Sequence, residues 1–192
     1  MKLFKYNQFI NESNEYIDSI CKEYGIRNYT INFDGSIDVN GDVHLLYKGL
    51  TKLPIKFNNV SGYFNCYSNQ LTSLEGAPKS VGEYFSCNSN QLTSLEGCPK
   101  SVGGYFSCSE NKLTDFYGFP EDWEGSVNFF GNTCQKILNL FPAEKWCSVI
   151  DLLNEFEVIQ GRKISEVRME EVFRQLRIKF PENLYIDGYE II

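Results

Sequence analysis

The chain has 192 residues, 42% of them hydrophobic and 22% charged, a balance that excludes a disordered chain and is ordinary for a folded domain. Its formal net charge of −7 excludes a phosphate-backbone binder, which needs clustered lysine and arginine, and leaves basic protein surfaces as fitting partners. No apolar run approaches the ~20 residues that span a bilayer, and Met1 to Ile10 lacks the continuous apolar core of a secretory signal, so the expectation is a soluble protein that works in the cytoplasm.

Residues 1–38 read as an N-terminal capping region. Asn14 to Tyr24 is the first helix, with Ser13 at its N-cap, Ile17, Ile20 and Cys21 as its apolar stripe and Gly25 as its stop. Ile31 to Val43, with Asp34-Gly35 and Asn40-Gly41, reads as a small hairpin. Residues 39–138 then repeat every 21 residues, in about five coils. Asn69 to Gly82 returns as Asn90 to Gly103, and only Ala77 and Cys98 differ between the two stretches. A fixed period of this length marks a solenoid, in which each unit covers its neighbour's apolar face.

Aligned at that period, the chain separates into columns. Val43, Phe64, Phe85, Phe106 and Val127 form one, and Leu45, Cys66, Cys87, Cys108 and Phe129 form a second, two residues on. The i, i+2 spacing requires extended chain with alternate side chains inward. Lys48, Asn69, Asn90, Asn111 and Asn132 follow, then two further columns that are mostly leucine, and a last apolar column of Val60, Val81, Val102 and Trp123. The unit apolar-x-apolar-x-x-Asn-x-Leu-x-x-Leu resembles the leucine-rich repeat, with Phe and Cys in two positions that family usually fills with Leu. The resemblance implies a parallel sheet on one face of a curved solenoid and asparagines buried against backbone groups. Pro78, Pro99 and Pro120 fix extended backbone on the returning side. The near-identical units also resemble leucine-rich repeat proteins encoded in large tailed-phage genomes. The opening Met1–Glu12, the segment Tyr24–Asp38 and the tail segment Leu152–Ile159 resemble phage gene products more generally.

Residues 139–192 read as a C-terminal helical cap or a separate partner-binding module. Pro142 to about Glu157 is one helix, with Trp146, Val149, Ile150, Leu153 and Phe156 on one side, and Gly161 breaks the chain. Ser165 to Ile178 is a second, with Val167, Met169, Val172, Phe173 and Leu176 apolar and Pro181 beyond its end. Leu184 to Ile192 is either a short strand or an ordered tail. The fold class is therefore an α/β repeat solenoid resembling leucine-rich repeats, with parallel strands every 21 residues, an N-terminal helix/hairpin cap and a C-terminal helical cap.

The residues between the inward columns point outward. Tyr63, Tyr84 and Tyr105 form one ladder, flanked by Asp42 and Ser126; His44, Asn65, Ser86, Ser107 and Asn128 form the next; Leu46, Tyr67, Asn88, Ser109 and Phe130 form the third. Tyr, Asn and Ser on a rigid sheet suit a protein-binding face, carried by Tyr63, Tyr84, Tyr105, His44, Asn65, Tyr67, Asn88 and Phe130. The same tyrosines also serve a sheet that only stacks on itself.

Nothing points to catalysis, a cofactor or a metal. The glycines recur at turn positions rather than in a phosphate loop, His44 is the only histidine, and no Cys/His cluster has zinc spacing. Of the seven cysteines, Cys66, Cys87 and Cys108 share a column with Leu45 and Phe129, which makes them core filling. Two functions remain. One is a non-enzymatic, phage-encoded scaffold that engages or inhibits a host protein, such as a defence component. The other is a structural or virion-associated subunit, and abundance in purified particles separates the two. No nucleic acid or membrane partner is expected.

Overall fold

The structure, a computed structural model, describes the backbone of residues 2–192 and the side chains from Ser13 onward. Helix α1 spans Lys2–Tyr24, so it begins well before the expected Asn14, and Ser13 lies inside it rather than at its cap. No glycine or proline interrupts Lys2–Ser13, and nothing stops the helix from propagating through that stretch. Its end is as expected. Gly25 takes a φ of +70°, the Ile26 N–H donates to the Cys21 carbonyl at 2.8 Å, and the Gly25 N–H donates to the Lys22 carbonyl. These two hydrogen bonds close the last turn as a Schellman motif. Ile17 and Cys21 are buried, and Ile26 joins them in the core.

Strands β1 (Tyr29–Ile31) and β2 (Ile37–Val39) form the hairpin, pairing Tyr29 with Val39 and Ile31 with Ile37. From there the chain winds as a solenoid whose every turn adds one short strand to each of two parallel sheets. The first sheet continues from β2 through β4 (Phe57–Val60), β6 (Ser80–Val81), β8 (Ser101–Val102) and β10 (Asp122–Trp123). The second runs β3 (Val43–His44), β5 (Phe64–Asn65), β7 (Phe85–Ser86), β9 (Phe106–Ser107) and β11 (Val127–Asn128). Register is locked to the repeat: Phe64 faces Phe85, and Phe85 faces Phe106.

The first of these sheets corrects the expectation of strands on one face only. The return segments after Pro78, Pro99 and Pro120 are not merely extended. They pair in parallel, with Gly82 N–H on the Val60 carbonyl and Gly103 N–H on the Val81 carbonyl, both at 2.9 Å. Gly82 and Gly103 allow this close approach. A Cβ on Gly82 would stand 2.1 Å from the Ser61 carbonyl oxygen, and one on Gly103 would stand 2.2 Å from the Gly82 oxygen.

Between the sheets lies one continuous apolar core. Phe64, Phe85 and Phe106 stack in a file, with ring centres 5.7 and 5.6 Å apart. Each fully buried ring contributes roughly 2–3 kcal/mol of transfer free energy. Cys66, Cys87 and Cys108 lie fully buried beside them. The asparagine file does what the repeat pattern implies. Asn111 accepts from the Leu92 N–H at 2.9 Å and donates to the carbonyls of Cys87 and Cys108, each at 3.0 Å. Asn69, Asn90 and Asn132 repeat the arrangement one turn apart.

After β11 comes a short helix that the sequence pattern did not announce, α2 (Gln135–Leu138), with Ile137 and Leu138 fully buried. A 3-10 turn at Ala143–Lys145 leads into α3 (Trp146–Glu155), which buries Val149, Ile150 and Leu153 as expected. Strands β12 (Ile159–Gln160) and β13 (Lys163–Ile164) form a hairpin around Gly161. Helix α4 (Glu166–Gln175) buries Met169, Val172 and Phe173, but Val167 stands 77% exposed rather than in the apolar stripe. Of the two alternatives for the tail the structure has the strand, β14 (Glu190–Ile191), parallel to β13. The Tyr189 hydroxyl donates to the Thr114 carbonyl, and Asn154 Nδ2 donates to the Phe116 carbonyl at 3.2 Å, joining this region to the solenoid.

Candidate protein-binding face

The sheet of β3, β5, β7, β9 and β11 brings all eight expected face residues onto one surface, though not with equal exposure. Tyr63 and Tyr84 lie half-buried with their rings stacked, centres 4.6 Å apart and planes 10° from parallel. His44 meets the edge of Tyr63 at 4.8 Å and hydrogen-bonds its hydroxyl through Nε2. These three side chains thus spend much of their surface on one another, which is the cross-strand stabilisation of the alternative reading. Burial and the nearby Asp42 carboxylate push the Tyr63 hydroxyl up from its ordinary range. Tyr105, at 39% exposure, presents more of its ring.

The middle column departs from the simple inward/outward reading. Asn65 and Asn128 are half-buried, and Ser86 and Ser107 are buried, Ser107 completely. A serine reaches less far than the tyrosines and asparagines around it, so alternation places it on the outer side while its neighbours close over it. Among the described residues the Ser107 hydroxyl has no hydrogen-bond partner. In the third column Asn88 Oδ1 accepts from the Ser109 N–H at 2.9 Å, which turns that amide along the ladder. Tyr67 is half-buried against the edge of Tyr47, with centres 5.2 Å apart. Phe130, 67% exposed, ends the column.

The strand pattern alone missed Tyr47. It is 65% exposed and sits at the turn leaving β3 with a φ of +56°. The equivalents Ser68, Ser89 and Glu110 share the left-handed conformation. The signal was available one column beyond the strand, where this coil alone carries an aromatic.

The cysteines are core, as the column predicted. Burial pushes the Cys66 thiol up to about 12, and Cys87 and Cys108 well above their ordinary value. Their thiols donate to carbonyls of the next coil, Cys66 to Ser86 at 3.3 Å. Native protein treated with a thiol reagent is therefore expected to react fast at exposed Cys147 and slowly elsewhere, with the remaining thiols released on unfolding. Rapid native labelling of Cys66, Cys87 or Cys108, read by peptide mapping, contradicts their placement. Among the described residues no group of three or more His, Cys, Asp or Glu side chains is placed to hold a metal ion, and no helix is long and apolar enough to cross a membrane.

A groove of about 540 Å³ runs over the other solenoid sheet. Its polar groups are already committed to each other: Asn59 Nδ2 donates to Asp38 at 3.0 Å, and Ser80 donates to Asn59 Oδ1 at 2.8 Å. Donors from Asn58 and its neighbours hold the Asp38 carboxyl below its ordinary range. This polar ladder stiffens the sheet and leaves few groups free for a ligand.

No protein-family model, curated protein or solved structure matches the chain. Its stacked parallel strands are those of a repeat solenoid, and the functional reading rests on the face itself.

Proposed function

We propose that this chain is a non-enzymatic binding module that engages a protein partner through the outer face of the β3–β11 sheet. The observation that carries the reading is the set of exposed rings at Tyr47, Tyr105 and Phe130, held on a backbone ladder bonded at every rung. Large amphipathic rings on a stiff support lose little entropy on association, which is why binding surfaces favour them. Catalysis is not part of the reading: the lone histidine is engaged by Tyr63, and the aligned thiols are buried.

The likeness of the repeat units and flanking segments to phage leucine-rich repeat proteins extends the proposal to a phage product that acts in a host cytoplasm on a host protein, with a defence component as one such target. Affinity capture from a bacterial lysate tests it, comparing wild type with Tyr105→Ala/Phe130→Ala. A specific partner is expected with the wild type and reduced at least tenfold with the variant, the scale set by removing two aromatic anchors at ~1 kcal/mol or more each. Retention of every partner by a folded variant removes the face from consideration.

A further inference from the structure

Resting on the reading that this sheet is a protein-binding face, we propose that it takes a basic, extended polypeptide segment whose cations sit at Glu83 and Glu110. The first argument lies in how the two most similar coils differ. Across the fourteen positions from Asn69 to Gly82 and Asn90 to Gly103 they differ at one. Across the next seven, residues 83–89 against 104–110, they differ at three: Glu83 against Gly104, Asn88 against Ser109 and Ser89 against Glu110. The inward Phe85/Phe106 and Cys87/Cys108 stay the same. Divergence between copies is thus concentrated on and beside this face, while the interior and the far side remain alike.

The second argument is charge. Asp42, Glu83 and Glu110 are exposed along the two margins of the face. The ion pairs among the described residues all lie elsewhere and engage none of the three. Of the lysines just beyond the strands, Lys48 is exposed on the first coil, and the Lys112 ammonium is turned to Gln91 Oε1 at 3.5 Å. The face therefore presents uncompensated negative charge to a partner of opposite sign.

Geometry sets the form of that partner. The run from Glu83 to Ser89, the counterpart of Glu110 on the next coil, covers six residue steps, at most roughly 20 Å at ~3.3 Å per residue, and less because only Phe85–Ser86 is strand and Ser89 turns with a φ of +49°. Ser86, Ser107 and Ser109 close the floor between the margins, so the segment lies across the sheet rather than inserting side chains into it. Beside Glu83, Gly104 carries no side chain and leaves the Tyr105 ring open to a guanidinium. The arrangement fits an extended segment with two cations up to about six residues apart, reached by their long side chains.

A fluorescein-labelled nine-residue peptide tests this, with arginine at positions two and eight and serine or threonine elsewhere. Its companion carries glutamine in place of both arginines. Titrated with the full chain at low salt and followed by anisotropy, the arginine peptide is expected to bind at least tenfold tighter than the glutamine peptide. Glu83→Gln/Glu110→Gln is expected to abolish that preference, while Glu166→Gln/Glu170→Gln on exposed parts of α4 keeps it. Equal binding of the two peptides by wild type overturns the inference, and so does an equal loss in the α4 variant, which marks attraction to net charge alone. A lysate partner lost by Tyr105→Ala/Phe130→Ala but kept by Glu83→Gln/Glu110→Gln also overturns it, while leaving the face reading intact.

Discussion

Gly82→Ala is expected to destabilise the protein by about 3 kcal/mol, the upper range for overpacking strain, because the added methyl, although at an exposed position, meets the backbone of the neighbouring coil. The added Cβ would lie 2.1 Å from the Ser61 carbonyl oxygen and 3.0 Å from its carbon, so it strikes backbone rather than a side chain that can swing away. The backbone cannot yield cheaply either. Ser61 N–H is bonded to the Val39 carbonyl at 3.0 Å, and Gly82 N–H to the Val60 carbonyl at 2.9 Å. Relieving the clash means parting two rungs of the ladder. In a solenoid each coil is held mainly by its neighbours, so a break in the middle weakens the coils on both sides. Gly35→Ala is the useful contrast. That residue has a φ of +77°, but nothing lies within 4 Å of a built Cβ. It carries only the left-handed backbone penalty, of about 1 kcal/mol. Urea unfolding followed by tryptophan fluorescence should rank the two variants in that order. A Gly82→Ala midpoint no lower than that of Gly35→Ala contradicts the close approach of the coils.

That contact shows where the sequence was readable and where it was not. The columns of Phe, Cys, Asn and Leu announce the solenoid because burial repeats at a fixed period, and the structure buries their central members, while at the first coil Lys48 is exposed and Leu50 half-buried. The second sheet is harder to see. Its strands β6 and β8 are two residues long with a single buried residue each, Val81 and Val102, so no alternation exists for a pattern to reveal. Its signature is instead the Val-Gly pair, where the glycine is needed for approach rather than for a turn. The candidate face was legible in direction but not in height. Alternation states which side of a strand Ser107 leaves from, yet its burial depends on how far its neighbours reach. Likewise the pattern placed Tyr63 and Tyr84 on one surface without showing that their faces are turned toward each other. The early start of α1 escaped because a plausible cap residue, Ser13, stood inside an uninterrupted helix.

The asparagine file carries the other large expected effect. Asn90→Ala is expected to cost about 3 kcal/mol, the upper end of the 1–3 kcal/mol for a buried backbone group left without a partner, here the Leu71 N–H. Asn90 Oδ1 accepts from the Leu71 N–H at 2.9 Å, and its Nδ2 donates to the carbonyls of Cys66 at 3.1 Å and Cys87 at 3.0 Å. The carbonyls of Cys66 and Cys87 keep second donors in Asn69 and Asn111, each at 3.0 Å, so their loss is partial. The Leu71 N–H keeps none of its own and belongs to a fully buried residue, which makes it the costly orphan. Position along the file should therefore matter. Asn69 serves the N–H groups of Lys48 and Leu50, both at 3.0 Å, in the first coil, where Lys48 is exposed and water can replace the lost acceptor. Asn69→Ala is accordingly expected to cost less than Asn90→Ala. Asn90→Asp is expected to be worse than alanine at neutral pH, because it keeps the acceptor for Leu71 but turns a carboxylate oxygen on carbonyls that need a donor. Denaturant midpoints for the three variants decide the matter. Equal losses at the first and the central coil would show that the file stabilises through packing volume rather than by satisfying buried backbone, and a tolerated Asn90→Asp would remove the need for its donor.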